Sequence, residues 1–435
     1  MENIISSFWN RNKIIFKSFL IGFLILLLLI PTVFIQNLVS ERQSRQKDAV
    51  EEVSSKWAGR QTINGPVIAV PYIETITDNQ GKGIPVKKLA YFLSDKLSIH
   101  STVVPEKRYR GIYKVVVYMT ELQITGSFDS LRFADLNIDA DKILWNEAAL
   151  FFDISDVRGL KEEVKLQMNQ NEINLVPGKF SNEQFKNSLS ALIPSTLLNN
   201  HAAMNFSMSV KLKGSENLLF VPTGKQTNVT VQSSWSTPSF TGNYLPDVRN
   251  INDSGFTASW NVLYLNRNYP QQWKDKVYDL KDFSFGVNLI IPVDSYQQTM
   301  RSVKYAILCI LLTFTAFFLI ELIYSKSIHS LQYILVGVAL CIFYTLLLSF
   351  SEYISFNLSY LIAAVATILL ISWYVKSILQ SSKMATFIGA LLTAMYGFIF
   401  TLIQLEDYAL LIGSIGLFVT LAFVMYFSRK IKWVS

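Results

Sequence analysis

The chain has 435 residues, 51% of them hydrophobic, with a formal net charge of +7 and two cysteines. A mean hydropathy of +0.30, with the apolar residues gathered near the N-terminus and beyond residue 305, excludes a uniformly water-soluble globular protein. Cys309 and Cys341 both fall in apolar runs, so the polar middle of the chain has no disulfide framework and depends on its own hydrophobic core.

The first apolar run covers residues 19–35 and follows Arg11, Lys13 and Lys17. A basic flank also opens a secretory signal, but this run is longer than a usual signal core and no small-x-small cleavage site follows Ile35. It reads as transmembrane helix 1, an uncleaved anchor preceded by a cytoplasmic N-terminus at residues 1–18. A bilayer core of about 30 Å needs roughly 20 apolar residues in a helix.

Residues 36–304 read as a large β-rich extracytoplasmic domain, α+β in class and sandwich-like. Val50, Val53 and Trp57 recur at helical spacing ahead of Gly59, which predicts a short juxtamembrane helix over residues 36–57. Beyond it the period becomes two. Phe206, Met208, Val210 and Leu212 alternate with polar residues, as do Phe256, Ala258 and Trp260, and Phe283, Phe285, Val287, Leu289, Ile291 and Val293. This is the pattern of strands with one buried face. The continuous apolar runs at 67–70 and 115–118 predict strands buried on both faces. Eleven of the twelve prolines lie between residues 66 and 292, where they punctuate turns. Helical stretches are expected near 141–150 and 182–192.

Five further spans follow at about 305–323, 331–350, 358–375, 385–403 and 408–427. They form a five-helix transmembrane block over residues 305–428 that completes a six-helix bundle with helix 1, and a cytoplasmic tail follows at 429–435. Arg11, Lys13, Lys17, Lys326, Lys376, Lys383, Arg429, Lys430 and Lys432 collect on one side, whereas the opposite short loops, 351–357 and 404–407, contain no lysine or arginine. By the positive-inside rule both termini are cytoplasmic and residues 36–304 lie outside. Those nine basic residues, set against Glu2 and Glu321 on the same side, account for the whole net charge. The basic balance is a topology signal and implies no nucleic-acid partner; the partner it implies is the lipid bilayer.

No catalytic constellation is visible. Three histidines, His100, His201 and His329, are too few and too scattered for a metal site, and no nucleophile elbow, phosphate loop or His-Glu-x-x-His motif occurs. The expectation is a protein that is not an enzyme and carries no cofactor or metal. Two polar clusters stand out at the span ends. On the inner face Glu321, His329 and Gln332 flank the second and third helices, with His329 placed to bridge to Glu321. On the outer face Arg301, Lys304, Glu352, Gln404, Glu406 and Asp407 suggest an ion-pair network. Gly389, Thr393 and Gly397 form a small-residue stripe suited to close helix packing, within the bundle or in self-association.

Several segments carry a family resemblance: residues 296–308, 329–337, Ser351 with Glu352, and 404–414 in the membrane block, with 63–72 and 255–260 outside it. They resemble the CreD family of bacterial inner-membrane proteins, most strongly from Tyr296 onward. The resemblance implies a bacterial inner-membrane location with a periplasmic β-rich domain, and a link to cell-envelope integrity and colicin tolerance under an envelope-responsive two-component system. It carries over no catalytic or binding residue. The reading it supports is a protein of envelope maintenance whose periplasmic domain binds an envelope protein, lipid or other component. The alternative is transport or lipid handling through the helical bundle.

Overall fold

The computed structural model describes residues 2–77, 82–180, 182–185, 188–198, 203–289, 295–324, 328–405 and 408–429. The chain divides into two compact units. Lys47–Pro292 form one, and Met1–Gln46 with Val293–Ser435 form the other.

Helix α1 spans Glu2–Trp57 without a break, where the sequence suggested a membrane helix and a separate juxtamembrane one. No glycine or proline interrupts residues 32–57, so the hydrogen-bond ladder continues from the apolar run into the polar one. The helix stops just ahead of Gly59, as expected. Its last turns belong to the β unit. There Trp57 Nε1 donates to the Tyr118 carbonyl at 3.3 Å, and its ring lies beneath Lys213 and Arg108 at 4.1 and 5.0 Å.

The strands of the β unit begin with β1 (Gln61–Thr77), β2 (Gly83–Leu93), β3 (Lys96–Arg110), β4 (Tyr113–Phe128), β5 (Ala149–Ile154), β6 (Val164–Met168), β7 (Asn171–Pro177) and β8 (Leu189–Leu192). A single helical turn, α2 (Ser195–Leu198), precedes β9 (Met204–Ser215), β10 (Asn217–Phe220), β11 (Gln226–Ser233), β12 (Pro238–Gly242), β13 (Val248–Asn252), β14 (Gly255–Leu263), β15 (Gln272–Lys274) and β16 (Phe285–Leu289). One path runs β12-β16-β10-β1-β5-β8-β7-β6-β9-β4-β3-β11-β14-β13, with β2 added to β1 and β15 to β2. The pairs β1/β10 and β3/β11 are parallel.

The ends of this path meet. The Phe240 ring on β12 lies 5.9 Å from Phe256 and 5.8 Å from Trp260, both on β14. One apolar cluster draws Ile68 and Val70 from β1, Ile99 from β3, Met208 and Val210 from β9, and Trp260 from β14. The period-two faces of β9 and β14 therefore point into a shared core, as the alternation predicts. In the third series Phe285, Val287 and Leu289 do so from β16, Phe283 ends a 3-10 turn against a second cluster, and Ile291 and Val293 lie outside the described residues. Strand β1 is buried on both sides: Ile68, Val70 and Tyr72 enter that cluster, while Val67 and Ala69 enter a second one with Tyr91, Phe151, Tyr269 and Trp273.

The two helices expected inside the domain are absent from the described residues. Around 141–150 there are only 3-10 turns at Ala140–Lys142 and Trp145–Glu147, and then β5 begins. All six residues of β5 are buried, and a run buried on both faces has no period to tell strand from helix. In the second stretch Asn182 Oδ1 accepts from the Gln184 and Phe185 amides, both at 2.9 Å, a turn that competes with a helix, and Leu189–Leu192 join the sheet as β8.

The second unit continues with α3 (Ser295–Lys304), α4 (Ala306–Tyr324), α5 (Ser330–Ser351), α6 (Phe356–Leu379), α7 (Ser382–Gln404) and α8 (Ala409–Ser428). Among the described residues six helices are long and apolar enough to cross a membrane, the second formed by α3 and α4 together. In this unit the buried residues described on α1 form a stripe: Ile21, Leu24, Leu28, Thr32, Ile35 and Val39. Gly337 on α5 makes room for it, since a Cβ there would fall 2.1 Å from Leu28 Cδ1.

Candidate functional site

Extending that stripe by one helical step at each end reaches Lys17 and Arg42, and each holds a glutamate. At the first end Lys17 Nζ contacts Glu321 Oε1 and donates to the Ile328 carbonyl at 2.9 Å. Tyr333 Oη donates to Glu321 Oε2 at 3.3 Å. At the other end Arg42 Nε lies 3.6 Å from Glu352 Oε1, to which Tyr296 Oη donates at 3.4 Å. Each clasp therefore joins one base from α1, one carboxylate and one phenol. The glutamate side chains retain only 12% and 10% of their exposure, so each charge is largely withdrawn from water and needs its partner.

The clasps mark the two ends of the span. Tyr333 and Glu352 are 19 residues apart on α5 and its cap, about 28 Å of helix rise, close to the thickness of a hydrocarbon core. Between them the bundle interior holds hydroxyls without charges. Tyr344, Tyr360 and Tyr396 surround Phe343, with ring centroids 4.8, 5.3 and 4.5 Å away. Tyr360 Oη donates to the Tyr396 carbonyl at 2.8 Å and Tyr344 Oη to Cys309 Sγ at 3.5 Å. The hydroxyls of Tyr396, Thr313 and Ser302 are buried without a partner.

These contacts revise the expected clusters. Glu321 is held by Lys17 and Tyr333 rather than bridged by His329. His329 instead caps α5: its Nδ1 accepts from the Leu331 amide at 3.3 Å, and its own amide donates to Gln332 Oε1 at 2.9 Å. A helix N-terminus has amides to satisfy, and an exposed imidazole meets that need locally, whereas the part-buried glutamate takes a full ammonium. On the opposite side Glu352 is held by Arg42. Arg301 and Lys304 lie in the last turn of α3, the first half-buried and the second exposed. Gln404 Nε2 donates to Asn357 Oδ1 at 2.7 Å, and Glu406 and Asp407 lie outside the described residues. Of the small-residue stripe, Gly389 serves packing within the block, because a Cβ there would come 2.8 Å from Ser372 Oγ on α6. Thr393 and Gly397 face outward.

Sequence reasoning missed Arg42, Lys17 as a ligand of Glu321, and the tyrosine cluster. A signal for the first two exists. Positions 17, 21, 24, 28, 32, 35, 39 and 42 fall on one helical face, but an almost wholly apolar helix gives that face no contrast.

The β unit offers an open groove of about 440 Å³ across β3, β4, β9 and β11. Lys96, Ser98, Thr125, Asn205, Gln226 and Asn228 line it together with Leu97 and Phe206, so hydroxyls, amides and one cation are set among apolar atoms.

Six apolar helices, charges confined to the ends of the first span, and a β unit between the first and second helices define a multi-pass membrane protein with a large sheet-rich domain. A family model described as Inner membrane protein CreD matches residues 13–434. The Inner membrane protein CreD of Escherichia coli (strain K12) is 30% identical over 416 residues, 94% of this chain and 92% of that protein. The chain belongs to the CreD family.

Proposed function

We propose that this is a bacterial inner-membrane protein of envelope maintenance whose β unit binds an envelope component. Both termini are cytoplasmic and the β unit is periplasmic in this reading, as the distribution of lysine and arginine over the short loops requires. The observation that carries the binding role is the groove on β3, β4, β9 and β11. Its hydroxyls and amides, set beside Leu97 and Phe206, suit a partner with both hydrogen-bonding groups and apolar faces, and no convergent acid–base pair is among the lining residues. The experiment is photo-crosslinking in cells from Thr125 and Asn228 in the groove, with Tyr109, 64% exposed, as the control position. A discrete protein, glycan or lipid adduct from the groove positions alone is the expected result. Adducts equal at all three positions overturn the reading.

Transport or lipid handling by the bundle is the second reading, favoured by the buried hydroxyls of Ser302, Thr313 and Tyr396. Unpartnered polar groups inside a membrane block are costly unless something polar reaches them. A crosslinker at Ser302 that captures lipid, while the groove positions capture nothing, selects this alternative. Sidedness is tested separately, in a background lacking Cys309 and Cys341. A cysteine at Asn252 is expected to react with an impermeant thiol reagent in intact spheroplasts, and one at Lys383 to resist it.

A further inference from the structure

Arg267 follows β14 in the β unit and is 8% exposed. Its Nη1 donates to the carbonyls of Tyr269 at 2.7 Å and Pro270 at 3.3 Å, and its Nη2 to Gln271 Oε1 at 2.6 Å. The guanidinium also stacks over the Tyr269 ring at 4.1 Å. A guanidinium carries five N–H donors, so these bonds leave the Nε hydrogen and one on Nη2. Nε is buried without a partner. The Nε–Nη2 edge is the one that receives an oxyanion side-on, with two parallel hydrogen bonds.

The charge has no counterpart either. Among the described residues no carboxylate lies within ion-pairing distance of Arg267, and burial pushes its pKa down with only the Tyr269 and Tyr244 hydroxyls opposing. Buried charges are ordinarily paired, because carbonyl dipoles offset only part of the lost hydration.

The surroundings repeat the pattern. Tyr269 Oη donates to the Pro222 carbonyl at 2.9 Å, Gln271 Nε2 to the Ser94 carbonyl at 2.6 Å, and the Lys225 amide to that same carbonyl at 2.8 Å. Three connections are thereby laced together: the one between β2 and β3, the one between β10 and β11, and the one leading from β14 to β15. Ser94 and Thr223, on the first two, are fully buried, and their hydroxyls have no partner. An unengaged guanidinium edge and two unengaged hydroxyl donors thus sit on segments bonded directly to one another.

We propose that Arg267, Ser94 and Thr223 form a binding site for a small oxyanion, a phosphate or carboxylate group received on the Nε–Nη2 edge. The low exposure of all three limits the ligand to the size of the free ion or a single terminal group. The site is independent of the groove and of the role proposed for it.

The test uses the purified full-length protein in detergent, in chloride buffer at constant ionic strength, titrated with inorganic phosphate or with acetate while the melting temperature is followed. A rise that follows the logarithm of the anion concentration above a threshold is expected with either anion, since a ligand specific for the folded state stabilises it by RT ln(1 + L/Kd), where L is the free anion concentration. Phosphate alone active marks a phosphate site, and acetate alone a carboxylate site. The Ser94→Ala/Thr223→Val variant keeps the arginine and removes only unpartnered hydroxyls, so it should fold as well as the parent without anion. It should need at least about tenfold more anion to reach the same shift, the loss of charge-assisted hydrogen bonds. No rise, or a linear rise equal in both proteins, is a general salt effect and overturns the proposal. A logarithmic rise unchanged in the variant places the anion elsewhere and overturns it equally.

Discussion

Trp260 in the β unit and Tyr396 in the helical block are both nearly fully buried aromatic residues with a polar handle, and they are treated differently. The Trp260 indole donates to the Tyr244 carbonyl at 3.2 Å and packs 5.8 Å from Phe240 and 5.7 Å from Phe285. The Tyr396 hydroxyl packs as tightly and meets no acceptor. The difference lies in where backbone carbonyls are spent. Loops between strands leave carbonyls free to accept from a buried side chain, whereas a helix uses nearly all of its own internally. In the block few mid-helix carbonyls accept from another helix, as that of Tyr396 does from Tyr360, and the ion pairs of the two glutamate clasps sit at the span ends.

That contrast can be tested from its strongest case downward. Trp260→Ala should cost about 3–5 kcal/mol in thermal or denaturant unfolding, as expected for deleting a fully buried aromatic. A loss below 1 kcal/mol would mean that the shared core of the sheet does not depend on this residue. Next comes the Lys17–Glu321 clasp. Glu321→Gln should cost about 2 kcal/mol, because it strands a part-buried ammonium. The double variant Lys17→Met/Glu321→Met should recover most of that stability in detergent. Losses that simply add would show that the two charges act independently. Smaller still is the Arg42–Glu352 pair, whose arginine is 37% exposed. Arg42→Glu or Glu352→Arg should each cost about 1 kcal/mol, and the double swap should restore part of it. Equal behaviour of an Arg301→Glu/Glu352→Arg swap would return the outer network to the partner first read from sequence.

A further effect concerns pH and belongs to the β unit. Arg158 first, then the Gly59 and Arg158 amides, hold the Asp156 carboxyl down to about 2, against the opposing effect of partial burial. An unfolded aspartate titrates near about 3.9. A depressed folded pKa stabilises the fold above the unfolded value, and that contribution fades as pH falls from about 4 toward about 2. Asp156→Asn should therefore lower stability at neutral pH and flatten its acid dependence across that window. An unchanged acid limb would mean that Asp156 keeps an ordinary pKa.

Much of the architecture was legible without coordinates because its signals are local. The lengths of the apolar runs defined six spans, and period-two alternation placed Met208, Val210 and Trp260 in a core where they are found. The failures share a physical cause. Residues 149–154 and 189–192 are short apolar stretches buried on both faces or nearly so, and burial on both faces erases the period that separates strand from helix. The juxtamembrane boundary near residue 36 marks a change of solvent rather than of backbone, so helix α1 runs through it.

The sequence by itself determined how many helices can cross a membrane, which strand faces turn inward, and that no cysteine chemistry stabilises the β unit, since each follows from residue type and spacing within a few turns. Only the tertiary structure decided that Glu321 belongs to Lys17, 304 residues away, that Glu352 belongs to Arg42, and that His329 caps its own helix. It likewise decided that Arg267, one of many basic residues in the sequence, is buried with its Nε unpartnered. Pairings of this kind depend on which surfaces the folded chain brings within about 3 to 4 Å, and no local pattern of residues encodes that distance.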